Sequence, residues 1–395
     1  MDWKSAAIKD DGTAIIPTRW LLIHYYEALN ILFRTENALR VFAYVVLKNE
    51  FKEKWLDTAL QVDEKTQSTI SATASKRISQ SKGFGYLGYE INSPLMYLNS
   101  GELTRIIDAN AYWPIFEPFF RGKKEIIRNK LDEIATIRNA LAHFRPLKPD
   151  DIEVIKQNVK HVFLGIEQCL TEMTQTHRAV PTNTEHTWYK ELSTLGSGLC
   201  DVRLFQNNAE TWIRLQIEYT CAMLQNSGPG DFRSFTVSNL ISPAILKAFP
   251  GLARHRIFVT EIVPHTEVTR ETAPPFKKTI SATFSRTAIN DHFGEINTSM
   301  KEILLKIEGE TELVRNDNLA KGTLIDPTFI YSLPRERGEN KNVLWTNFDA
   351  LRCEISENDP PEYWGDFPTY ISDFIAGAPQ YPWMPSEISK AEFPY

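Results

Sequence analysis

Residues 131–146 read LDEIATIRNALAHFRP. Starting from Ile127 just upstream, Ile127, Leu131, Ile134, position 138 and Leu141 are spaced four, three, four and three apart, the step of a helix with one apolar face. Position 138 lies on that face and is arginine, so a guanidinium is carried toward the core and needs an anion beside it. Asn139 and His143 share a neighbouring face of the same helix, about 100–140° round from Arg138. The residue before a proline is pushed out of the helical region, so Arg145-Pro146 is expected to end the helix, which is read as 123–144.

Helical periodicity extends outward from this stretch. Residues 18–51 contain neither Gly nor Pro and carry apolar positions at three- and four-residue steps, predicting one long amphipathic helix after Pro17. A more polar helix is expected at 52–77, a short one opening at Gly101 (GELTRIIDA), an aromatic, proline-containing segment at 112–120 (YWPIFEPFF), and a final helix at 151–175. Asp150 with Glu153 is read as the capping box of that last helix. These elements predict an all-α bundle over 1–176.

The polar stretch 174–188 is read as a linker, with the boundary drawn at 177–198. Beyond it the period shortens to two. Segments 201–206, 211–219, 233–239, 256–263 and 278–286 alternate and are rich in Thr, Ile, Val and Phe, so they predict strands, with a helix near 294–307. Residues 199–395 are therefore expected to form an α+β, strand-rich domain with an acidic, aromatic tail. The fold class is a multidomain chain, helical and then α+β.

Composition bounds the function. The 395 residues carry 44 basic and 50 acidic side chains, and residues 351–395 alone hold two basic against eight acidic. That balance argues against a general polyanion coat while leaving room for local phosphate contact. The longest apolar run, Val41–Leu47, is seven residues, too short to span a bilayer, and MDWKSAAIKDDGT is not a signal sequence. Cys169, Cys200, Cys221 and Cys353 form no CxxC pair and read as reduced thiols of a soluble, cytoplasmic protein.

The common chemical motifs are absent or misplaced. GFGYLG at 83–88 spells G-x-G-x-x-G, but without a preceding strand or a helix starting on it, and is read as a hinge. PDDIEVIK at 149–156 resembles a nuclease carboxylate set but has the wrong spacing. His255 and His265 stand ten apart across an expected strand, no HExxH, GxSxG or P-loop occurs, and no metal or cofactor is expected. Arginine five residues before histidine recurs at Arg19/His24, and more loosely at Arg286/His292; only Arg138 combines the spacing with a core-facing position and a following Asn.

RNALAH, set in LDEIATIRNALAHFRPL after GELTRII and before an amphipathic helix, resembles the HEPN superfamily (higher eukaryotes and prokaryotes nucleotide-binding), in particular the ribonucleases of prokaryotic toxin and abortive-infection systems. The resemblance covers about 18–176. It implies a metal-independent endoribonuclease, cleaving RNA such as tRNA or mRNA to a 2′,3′-cyclic phosphate in an antiviral defence role. The motif positions are Arg138, Asn139 and His143, and two copies would meet across a homodimer. The residue types fit that chemistry: imidazole shuttles protons near neutral pH, and a guanidinium fork meets the charge building on the phosphorane. Glu36, on the first helix, is read either as an ordinary surface partner of Arg40 four residues on or, in the sharper reading, as the holder of Arg138, with Arg145 an auxiliary cation. The C-terminal domain would then bind a regulatory protein or ligand. The alternative is a non-catalytic dimerisation or binding module with the same helices.

Overall fold

The structure, a computed structural model, describes residues 7–11, 14–15, 23–61, 67–84, 93–145, 147–174, 176, 185–221, 223–226, 233–238, 242–262, 277–315, 327–337, 342–348 and 358–365. Two compact units interleave along the chain: Met1–Val46, Asp57–Thr73 and Leu98–Leu170 make the first, and Leu47–Leu56, Ala74–Tyr97 and Thr171–Tyr395 the second. The sequence reading draws a single cut near 176.

In chain order come the short pair β1 (Ala7–Ile8) and β2 (Ala14–Ile15) and then α1 (Ile23–Phe51), whose residues from Leu47 belong to the second unit, as do residues 52–56 and Ala74–Tyr97 after it. Of the expected polar helix over 52–77, only residues 70–77 are helical. Lys52 takes a left-handed φ of 54°, which stops α1 without Gly or Pro, and a 3-10 turn (Lys52–Asp57) follows. The hairpin of β3 (Ala59–Gln61) and β4 (Gln67–Thr69) comes next, then α2 (Ile70–Phe84). Helix α2 runs through Gly83, so the first part of the expected hinge is helical; residues 85–92 lie outside the described set.

Helix α3 (Ser100–Asp108) starts at Asn99, whose side chain accepts the Glu102 N–H while Glu102 accepts that of Asn99. The aromatic segment is α4 (Trp113–Phe116) with a further 3-10 turn (Glu117–Phe119). Its rings surround fully buried Phe42, with centroids 5.6, 5.2 and 5.9 Å away for Phe116, Phe119 and Phe120. Helix α5 (Lys124–Ala142) buries Ile127, Leu131, Ile134 and Leu141, the stripe read from the sequence. Helix α6 (Pro149–Thr174) starts two residues earlier than expected: Asp151, not Asp150, accepts the Lys148 N–H at 2.7 Å, and Glu153 pairs outward with Lys156.

In the second unit the expected linker is partly structural, because α7 (Thr187–Leu192) buries Trp188 and Leu192 in the core. Strands β5 (Cys200–Gln206), β6 (Trp212–Thr220), β7 (Met223–Asn226) and β8 (Arg233–Ser238) precede the short helices α8 (Ser242–Ala248) and α9 (Pro250–His255). Then come β9 (Phe258–Ile262), β10 (Lys277–Ser285), α10 (Arg286–Arg315), β11 (Pro327–Arg337) and β12 (Asn342–Phe348). Arg286, read as part of a strand, is the first residue of α10.

The strands make two antiparallel sheets, ordered β5-β6-β10-β9 and β12-β11-β8-β7. One face of the first sheet presents Leu215, Ile217, Ile280, Ala282 and Phe284 to Ile289, Ile296 and Met300 of α10 in a shared apolar core. Tyr363 bridges Val259 beside β9, so residues 358–365 of the acidic tail are folded; 366–395 lie outside the described residues. Among the described residues, no helix is long and apolar enough to cross a membrane, and Cys169, Cys200 and Cys221 are free thiols in buried positions.

Candidate active site

The end of α5 is a six-residue closure. The Arg145 N–H donates to the Ala140 carbonyl at 2.9 Å and the Phe144 N–H to that of Leu141 at 2.9 Å, with Phe144 at φ 54°. This is the hydrogen-bond pattern in which Gly normally takes the left-handed position. Here a phenylalanine takes it, at about 1–2 kcal/mol of backbone strain. The turn leaves the Phe144 ring 84% exposed, between exposed His143 and exposed Arg145.

One helical turn earlier, half-buried Arg138 faces α1. Its Nε donates to Glu36 Oε2 at 3.2 Å and its Nη1 to the Asn139 amide oxygen at 3.3 Å. Glu36 is a hub. It also accepts from the Ser100 hydroxyl at 2.5 Å and from Arg40. Arg40 also donates to Asn37 Oδ1 at 3.0 Å and to the Leu98 carbonyl at 3.1 Å, while its buried Nε has no hydrogen-bond partner among the described residues. Burial pulls the Arg40 pKa down, against the raising effect of Glu36. The Glu36–Arg40 pair, by spacing an ordinary surface interaction, is therefore internal; its carboxylate also lies at the N-terminus of α3, where the helix dipole favours an anion.

The structure thus brings Glu36, Arg138 and Asn139 into contact. His143 and Arg145 are not part of that network. Among the described residues neither side chain makes a hydrogen bond or ion pair, and both stand exposed at the helix end. Five residues of helix separate His143 from Arg138, a rise of about 7.5 Å. Ser100 was not legible beforehand, since a helix-start serine 64 residues from Glu36 carries no pairing signal.

A second titratable cluster was also unannounced. In the second unit, buried His255 meets Glu295 (Nε2 to Oε2, 3.1 Å) and stacks on His292 with centroids 4.2 Å apart and 15° between planes. His292 interrupts α10 with φ −130° and ψ 20°. The three ligand-type atoms lie within 4.8 Å of one another. Two nearly parallel rings cannot both aim in-plane lone pairs at one ion, however, and Arg254 already sits 3.4 Å from Glu295. The trio is not a ready chelate. His265, the other histidine of that stretch, lies outside the described residues.

The chain matches no family model, no curated protein and no solved structure, so its functional reading rests on the geometry above.

Proposed function

We propose that the helical unit is a metal-independent endoribonuclease centre, acting on RNA as a homodimer or higher homo-oligomer in a toxin-like defence role. One observation carries the reading. A guanidinium held at one edge by Glu36 and Asn139 stands on the helix whose next turn ends in an exposed, uncommitted imidazole.

A guanidinium oriented in this way stabilises charge on a phosphorane without having to reorganise. The 2′-hydroxyl of the RNA is the nucleophile. One imidazole removes its proton, and a proton must also reach the departing 5′-oxygen. A single His143 cannot easily be base and acid in the same step, which is why the reading includes a second chain. No bound metal is needed for that balance.

A second reading has an observation in its favour. Glu36 already pairs with Arg138, as it would in a purely structural ion pair. The helices would then serve as a dimerisation or binding module.

The two readings separate on one experiment. Full-length protein is incubated with tRNA and total RNA in EDTA, beside Arg138→Ala and His143→Ala. Cleavage that survives chelation, leaves 2′,3′-cyclic ends and disappears in both variants supports the nuclease. Intact RNA with all three folded proteins leaves the binding module.

A further inference from the structure

Residues opposite one another across an antiparallel ladder share a face of the sheet. In β5-β6-β10-β9 the register therefore lines up Phe205, Arg214, Thr283 and Phe258 across four strands. The next row on that face is Arg203, Gln216, Ser281 and Thr260. This is the face turned away from the apolar core. A sheet with one apolar face ordinarily gives its polar face to water.

Here the part of that face around Arg214 is dry, while Asp201 and Arg203 at its β5 edge stay partly exposed. Arg214 is 6% exposed, Thr260 2%, Ser281 1% and Thr283 0%. Buried polar atoms are nearly always paired, yet Arg214 Nε and Nη1, Ser281 Oγ and Thr283 Oγ1 have no hydrogen-bond partner. The guanidinium lies over the Phe205 ring, 4.4 Å from its centroid. The acids on the same face do not serve it: Asp201 pairs with Arg203 at 3.0 Å, and Glu218 with Lys277 at 3.3 Å. Burial alone draws the Arg214 pKa down to about 10, with no anion to oppose it.

One fork-shaped cation and two hydroxyl donors, flanked by phenylalanine rings, form the donor set of an anion site with an apolar surround. We propose that this face of the sheet binds a small organic anion, a carboxylate or a phosphate ester, through Arg214, Ser281 and Thr283. The site lies wholly within the second unit and does not depend on the ribonuclease reading.

The test uses full-length protein, benzoate and phenyl phosphate as probes, and sodium chloride at matched ionic strength as control. Either probe is expected to raise Tm by about 3 °C in a dose-dependent way. A response to benzoate alone identifies a carboxylate site, and to phenyl phosphate alone a phosphate-ester site. Arg214→Met should be at least as stable as the parent without ligand, because it removes an unpaired buried charge, and should lose the response. Ser281→Ala and Thr283→Val should each weaken Kd by about tenfold, measured by calorimetry. The proposal is overturned if neither probe binds, if Arg214→Met responds like the parent, or if the two hydroxyl variants bind with unchanged Kd. Failure of Arg214→Met to fold would also overturn it, since that places the cation's partner within the protein.

Discussion

Glu36 Oε2 lies 3.2 Å from Arg138 Nε across 102 residues of chain, and the same carboxylate holds buried Arg40. One anion therefore serves two cations. Glu36→Gln removes it from both, and the larger cost falls on Arg40, which cannot turn to water. Urea denaturation is expected to show a loss of about 3–5 kcal/mol, the usual result of stripping one partner from a buried pair. Arg138→Ala, at a half-exposed position, should cost about 1 kcal/mol or less. Equal losses from the two variants would contradict the hub arrangement.

Phe144 occupies a left-handed position that suits Gly. Phe144→Gly relieves the strain and gives up almost no burial, because the ring is exposed. Tm should hold or rise, by up to about 1 kcal/mol of stability. If RNA cleavage drops in the same variant, the ring's use is in contact with substrate or a partner chain, not in folding.

Gly165 lets α6 approach the aromatic segment. A Cβ there would fall 1.8 Å from the Phe119 carbonyl oxygen, a backbone atom that cannot swing aside. Gly165→Ala is expected to cost about 3 kcal/mol or more, or to prevent folding, which expression level and circular dichroism would report.

Burial holds the His255 imidazole below its ordinary pKa of 6.5, despite the raising effect of Glu295 and with His292 and Lys52 lowering it further. The unfolded chain takes up this proton first. Stability is thus fully present above pH 6.5 and declines as pH falls through the interval below it. Glu295, whose pKa is lowered mainly by its hydrogen bond to His255, works in the same direction below its ordinary 4.5. Urea midpoints measured from pH 8 to 5 should fall in the parent and flatten in His255→Gln. A pH-independent parent would count against it.

Long helices were legible because a buried stripe repeats many times: α5 and the body of α6 follow directly from the spacing of their apolar residues. Asn99–Glu102 could also have been read, since both halves of its box are in the sequence. The break after α1 was not. It depends on Lys52 accepting a left-handed conformation, which nothing in KNEFKEKW announces. Strands β5, β6 and β10 follow from alternation, a pattern that ordinarily turns its polar side to solvent. Arg214, Ser281 and Thr283 lie buried on that side, and a polarity pattern contains no information about what covers a face. Among site residues, Arg138 and Glu36 were accessible to helical arithmetic, whereas His255, His292 and Glu295 meet only through the tertiary path.

Helix α1 has consequences for dissecting the molecule. Its residues to Val46 count with the first compact unit and those from Leu47 with the second. An N-terminal fragment ending at 176 would keep Lys48 but lose Glu362, its ion-pair partner at 2.8 Å. The complementary fragment would keep Arg254 and lose Glu53. A single truncation at 176 would therefore separate residues that belong to one unit, and assigning activities to the two units calls for point substitutions in the intact polypeptide.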